Sequence, residues 1–537
     1  MMNSKPQRQR TAVYASGALV TLLALLWVMA LAAGEGVAIS GTVVDQDGAA
    51  VAGARVRVRA TENMVLSGAD GRFTLSGLAA GRDMEVTAWA EGFYIASTHV
   101  TPPTADLLLA LRPYHTQDHP TYVWAAPDEG ANACGTCHPS IIGQWQGNAH
   151  GTAVSNPRFY SLYNGTDLVG NTAVAPGYIQ DFPGTAGNCA DCHAPGAGLD
   201  RYLGVDMNDV RGQVTAGVHC DYCHKIGGLY LDPQSGSVYP NAPGVRSQRL
   251  LRPPPGDDIF FGPYDDVHDP DTYLPVISES QFCAPCHQFS FWGTPIYESY
   301  AEWQASAYAA AGVTCQACHM PPTGETFFAL PEVGGVAHAP EDIPSHLQRG
   351  ALDEELLADT VTMTLAAEQA GQTLGVAVGL TNSGAGHDAP TDHPGRQLLL
   401  EVRAQDGAGR PLTLLAGPRL PEWSGELAGQ PGEAYAKVLA DVTTGAAPVV
   451  SYWKPTRLVS DNRIAAHETA WTAYTFLLPP GATQVQVTAE LRFRRLFAET
   501  AVAKGWDTPD IVMARAEVMA GVGPEWAWFA PLVVGGR

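Results

Sequence analysis

The chain has 537 residues, 45% of them hydrophobic and 16% charged. That size allows several domains, and the balance excludes a disordered chain. A formal charge of −23 argues against nucleic acid or an anionic membrane surface as partner; it suits steering toward a basic partner protein, or keeping an exported protein soluble.

Lys5, Arg8 and Arg10 precede an uncharged run from Thr11 to Gly34. A basic start followed by an apolar run reads as a signal peptide or signal anchor over residues 1–34. Ala30-Leu31-Ala32 offers a small-residue cleavage site, yet the run is long enough to span a bilayer, which takes about 20 residues. Both forms stay open, and either puts the rest of the chain outside the cytoplasm, in the periplasm or at the cell surface. The apolar stretch Trp526–Val534 is too short for a second span.

Residues 35–113 carry strand patterning. Ala54–Ala60 alternates apolar and charged residues with period two, the mark of a strand with one buried face. Turn signals bracket it at Asp45–Gly48 and Ser67–Gly71. Further strands are expected at Val37–Val44, Arg72–Leu75, Met84–Ala90 and Leu107–Leu111. The stretches Ile39–Asp45, Val51–Val56, Gly68–Phe73 and Leu78–Gly81 resemble the carboxypeptidase regulatory-like domain. The resemblance implies a transthyretin-like β-sandwich serving as an interaction or spacer module, without catalytic residues.

All ten cysteines lie in five Cys-x-x-Cys-His sequences: Cys134–His138, Cys189–His193, Cys220–His224, Cys283–His287 and Cys315–His319 (motifs 1 to 5). This is the attachment signal for haem c: Cys134, Cys137, Cys189, Cys192, Cys220, Cys223, Cys283, Cys286, Cys315 and Cys318 would bond the vinyl groups. His138, His193, His224, His287 and His319 would ligate the irons from the proximal side. Zinc sites do not require histidine after every second cysteine, and thiol-redox motifs do not either. Disulfides closing such short loops gain little. Five covalently bound haems c are therefore expected, in a mainly helical and irregular domain over residues 114–350.

The spacing hints at repetition. Cys189 and Cys220 stand 31 positions apart and Cys283 and Cys315 stand 32 apart. Gly217-Val218-His219 and Gly312-Val313-Thr314 lead into the third and fifth motifs, and Gln144–His150 echoes Glu302–Tyr308. This predicts two paired units, motifs 2 and 3 and motifs 4 and 5, with motif 1 added at the N-terminal side. Tyr308 then stands where a ligand would match His150.

A haem iron with one histidine is a reaction site; one with two strong ligands is an electron carrier. The histidines outside the motifs are His99, His115, His119, His150, His219, His268, His338, His346, His387, His393 and His467, enough for bis-histidine ligation throughout. Trp145 with His150 is similar to the Trp-x-x-Ser-x-His segment of cytochrome c-552/4-type multihaem proteins, Asn148 replacing the serine. That resemblance implies distal ligands at His150, at His268 after Phe261-Gly262-Pro263-Tyr264, and at His346 beyond the fifth motif. His219 abuts Cys220 and could reach a neighbouring iron. His119, His115 and His387 compete for the remaining place, His387 lying in a Gly-His-x-x-Pro-Thr element similar to one in related C-terminal sandwiches.

Over residues 351–537 cysteines vanish and β-patterning returns, at Leu398–Ala404, Trp471–Leu478 and Thr483–Phe493, predicting a second β-sandwich. The expected function is electron transfer between redox partner proteins, as a carrier in preference to a catalyst. The alternatives are a multihaem oxidoreductase acting on a small nitrogen or sulfur compound, or a subunit of a surface cytochrome assembly or filament. An oligomer or redox complex fits any of these, and the N-terminal segment, if uncleaved, would bind a membrane.

Overall fold

The computed structural model describes residues 36–521 and 532–534, apart from 129, 131–132, 202, 240–241 and 269. The expected signal or anchor lies outside the described residues. Among the described residues no helix is long and apolar enough to cross a membrane.

Two compact units emerge. The first comprises residues up to Thr116 together with Gly262–Tyr273. It is built on β1 (Val37–Val44), β2 (Arg55–Val58), β3 (Met64–Leu66), β4 (Arg72–Leu78), β5 (Met84–Trp89), β6 (Ala96–Val100) and β7 (Thr104–Ala110). One sheet has the order β4-β1-β7, with β7 parallel to β1, and the other the order β3-β2-β5-β6. Ile39, Val43, Val56, Phe73, Leu75, Val86 and Leu109 from both sheets form one core. The period-two pattern of β2 explains its position: Val56 is fully buried while Arg55 and Arg57 face outward. There the arginines meet Asp265 of the 262–273 segment, with Arg57 Nε 2.9 Å from its carboxylate. Asp266 accepts from the Ala60 amide at 2.7 Å and Trp89 donates to Thr272 at 3.0 Å. A loop from the motif region is thus an integral part of this β-unit, which the sequence pattern did not announce.

The second unit comprises Gln117–Phe261 and the residues from Leu274 onward. Its motif-bearing part consists of single helical turns and short strands: β8 (Ile226–Leu229), β9 (Gln248–Leu250), β10 (Phe260–Gly262, whose last residue belongs to the first unit), β12 (Phe289–Phe291) and β13 (Thr294–Tyr297); β11 (Asp271–Tyr273) lies in the first unit. The C-terminal part contains β14 (Val361–Ala370), β15 (Thr373–Asn382), β16 (Gln397–Asp406), β17 (Thr413–Ala416), β18 (Gly432–Tyr435), β19 (Lys437–Asp441), β20 (Thr456–Asp461), β21 (Thr469–Leu477), β22 (Gln484–Arg494), β23 (Ile511–Gly521) and β24 (Leu532–Val534). They form sheets of order β17-β21-β15-β14-β24 and β18-β16-β22-β23, beside a β19-β20 ribbon. Met363, Leu365, Val376, Leu400, Val402, Phe476, Val487 and Leu491 bind the two larger sheets into one core. Strict alternation of buried and half-buried residues along β14 is what a strand with one core face requires.

Candidate haem sites

Each motif forms one helical turn: Cys134–Cys137, Ala190–His193, Cys220–Cys223, Ala284–His287 and Cys315–His319. Positions i, i+3 and i+4 share one helix face, so both thiols and the imidazole are carried on one side. No disulfide joins any of the cysteines. Among the described residues no group of three or more His, Cys, Asp or Glu side chains is arranged to hold a metal ion by itself, as a tetrahedral zinc site would require.

The imidazoles are oriented through one ring nitrogen. His138 Nδ1 donates to the Phe328 carbonyl at 2.7 Å, His224 Nδ1 to that of Phe261 at 2.7 Å, and His319 Nδ1 to that of Arg349 at 2.6 Å. His193 hydrogen-bonds the Ala153 backbone. His287 departs from this pattern, its Nδ1 facing Asp392 Oδ2 at 3.2 Å. Fixing Nδ1 leaves Nε2 to a metal and sets the ring orientation. Burial pushes His193 down to about 4. For His287 burial acts in the same direction, but the Asp392 carboxylate outweighs it and raises the ring to about 9.

The other histidines sort by geometry. His150 lies with its ring centroid 6.4 Å from that of His287, and His387 lies 6.3 Å from His319 with the planes only 18° apart. His150 donates from Nδ1 to Gln348 Oε1 at 2.6 Å, and Asn148 donates to the same amide oxygen at 2.8 Å. Asn148 also holds the His346 carbonyl at 2.7 Å and accepts from the His150 amide at 2.9 Å. The residue that replaces the family serine therefore locks two histidine segments together. Burial, then the charges of His224 and His138, push His346 down to about 4; burial, then His287, does the same to His150. His219 is 1% exposed, and its buried Nε2 has no hydrogen-bond partner. Its Nδ1 accepts from the Tyr222 amide at 3.3 Å, and burial lowers it to about 4. With Nδ1 accepting, the neutral ring carries its proton on Nε2, a buried N–H without an acceptor, and holding a metal there would require that proton to leave Nε2. His119 donates its backbone amide to Arg252 at 3.2 Å. His268 sits exposed in the loop belonging to the β-unit. Tyr308, at the place matching His150, stacks on His467 at 4.5 Å.

The motifs stand side by side. The Cys134 and Cys220 thiols, those of Cys192 and Cys286, and those of Cys283 and Cys315 are neighbours that shift one another's ionisation. Trp145 Nε1 donates to the Val218 carbonyl at 2.8 Å, and Trp303 Nε1 donates to the Val313 carbonyl at 2.8 Å. Gly217 and Gly312 before those valines take positive φ of 72° and 73°. The repeating unit is motif, tryptophan helix, then Gly-Val lead-in and motif. Motifs 1 and 3 form one copy and motifs 4 and 5 the other, and motif 2 is the insertion. The reading from spacing shares the unit of motifs 4 and 5 and differs in setting motif 2, not motif 1, beside motif 3. Asp392 and Gln348 were missed altogether: each acts across 105 and 198 positions of sequence, beyond any local pattern.

Residues 133–225 match the cytochrome c554 and c-prime family. Residues 38–109 match the carboxypeptidase regulatory-like domain. A penta-haem cytochrome c552 from Thermochromatium tepidum superposes with a TM-score of 0.54 at 22% identity, covering 72% of this chain and 97% of that one. That likeness is one of fold. No curated protein matches the chain. Haem c is thus the cofactor and multihaem electron transfer the chemistry supported, and the donor set fits: paired thiols on one helix face, imidazoles with Nδ1 tied down, and an orphaned buried Nε2 on His219.

Proposed function

We propose that the chain is an extracytoplasmic pentahaem c-type cytochrome whose haems are mostly bis-histidine and relay electrons between partner proteins. The carrying observation is the pair of ring separations, 6.4 Å for His150–His287 and 6.3 Å for His319–His387. Two imidazoles facing one metal, at nitrogen–metal distances of about 2 Å, place their ring centres about 6 Å apart. His150 is then the distal ligand of the motif 4 haem and His387 of the motif 5 haem. His346, whose carbonyl Asn148 holds beside His150, serves one further iron, and His219 serves a neighbouring one. His119 is left for the last place.

The haem supplies the one-electron couple; the protein supplies the ligands and excludes water. The proximal rings are held by backbone carbonyls and Asp392, and the distal rings by Gln348 and by the Asp388 carbonyl, which His387 Nδ1 meets at 2.9 Å. Thiol contacts between motifs 1 and 3, 2 and 4, and 4 and 5 support haems close enough for rapid exchange. The division into a signal or anchor (1–34), a transthyretin-like sandwich (35–113), a haem domain (114–350) and a C-terminal sandwich (351–537) belongs to the same reading. The mass of the matured holoprotein should exceed that of the polypeptide by five haems. His150→Ala and His387→Ala should each turn one low-spin haem high-spin in the electron paramagnetic resonance spectrum; an unchanged spectrum refutes the assignment.

A further inference from the structure

Four of the five motif histidines rest on neutral backbone groups; His287 alone rests on a carboxylate. Asp392 is built for that contact. It is 8% exposed, and its second oxygen accepts from the amides of Glu298 and Ser299, both at 3.2 Å. Its φ of 60° is left-handed, a conformation that a non-glycine residue keeps only where its surroundings hold it, and such positions concentrate at functional sites. The adjoining side chain is held as well, Thr391 meeting Ser299 at 3.1 Å. Arg396 is the cation facing the carboxylate besides His287.

We propose that Asp392 is a positioning residue that makes the motif 4 haem harder to reduce than the motif 5 haem. The inference rests on the pentahaem reading above. A carboxylate on Nδ1–H raises the electron-donating strength of the imidazole at Nε2, which stabilises ferric over ferrous iron. A carbonyl does this less, and His319 has only the Arg349 carbonyl. The short loop that offers Asp392 to His287 also carries His387 to His319, so one segment of the C-terminal region addresses two neighbouring haems and sets them apart in potential. Motif 4 meets motifs 2 and 5 through its thiols. The step therefore stands at a junction and directs electrons to one side of it.

The test uses holoprotein matured in an export-competent host. Asp392→Asn keeps the shape and tolerates left-handed backbone but removes the charge. Spectropotentiometric titration should show one haem rising by at least 59 mV, a tenfold change in its reduction equilibrium, while Asp392→Glu stays near the wild-type value. No rise, or the same rise in both variants, overturns the proposal. If the Asp392 variants do not accumulate, resonance Raman on ferrous His150→Ala and His387→Ala proteins decides it. The iron–imidazole stretch of the opened motif 4 haem should lie above that of the opened motif 5 haem, and equal frequencies overturn the proposal. Failure of the parent reading has a separate signature, a holoprotein mass short of five haems, and the proposal falls with it.

Discussion

Arg463 is the natural place to stress the junction between the motif region and the C-terminal strands. Its side chain is 4% exposed and its guanidinium contacts Glu302, Asp461 at 2.8 Å and Asp388 at 3.2 Å. Lys437 pairs with Glu298 alongside. Arg463→Met keeps the stem but strands the carboxylates. Asp388 and Asp461 retain about a quarter of their side-chain exposure and recover hydration, whereas Glu302 at 9% does not. Removing one partner of a buried pair costs about 3–5 kcal/mol, and with one fully stranded carboxylate the lower figure, about 3 kcal/mol, is expected. Burial, with Asp388 beside it, already raises Glu302 above the usual carboxylate range, and loss of the arginine raises it further. A raised folded pKa favours the fold at low pH and loses that benefit as pH rises, so the penalty should be larger at pH 7 than at pH 5. Denaturant unfolding followed by circular dichroism at the two pH values measures it. A loss below about 1 kcal/mol at pH 7, or one independent of pH, would refute the argument.

Asp353 caps the helix Glu354–Thr360 by accepting from the Leu356 amide at 2.8 Å, and it pairs with Arg349, which holds the carboxyl below its usual range. Its ionised form should stabilise the protein above about pH 4 and lose effect as pH falls through the lower folded value; Asp353→Asn should flatten that acid limb, and an unaltered limb in acid titration would contradict it. Trp145→Phe and Trp303→Phe each leave a valine carbonyl without its indole donor, a loss of about 1–2 kcal/mol. Only Trp145→Phe should also perturb a low-spin haem signal, because its segment carries His150 while the other carries Tyr308; equal spectral effects would count against the assignment.

Much of the site was legible because haem attachment is written locally. A helical turn brings Cys, Cys and His to one face whatever surrounds it, so the motif and its geometry coincide. Strand alternation in β2, β14 and β22 was equally local. His150 and His387 lie among the distal candidates because short flanking residues mark them. What could not be read was pairing: which imidazole faces which, and which thiols meet, is set by contacts between distant parts of the chain, His150 with His287 and His319 with His387 among them.

The same limit explains why residues 351–537 read, from sequence, only as a second β-sandwich. Nothing near Asp392 or His387 in the chain mentions His287 or His319. Yet the loop between β15 and β16 places both against motif histidines, and Arg463, entering just after β20, fastens that loop to Glu302 of the Trp303 helix. Removing that segment would take away the imidazole that faces His319 and the carboxylate that His287 meets. On the proposed assignment the loop between β15 and β16 belongs to the electron-transfer centre, and a truncation ending near residue 350 should mature with altered haems even if every Cys-x-x-Cys-His motif is loaded.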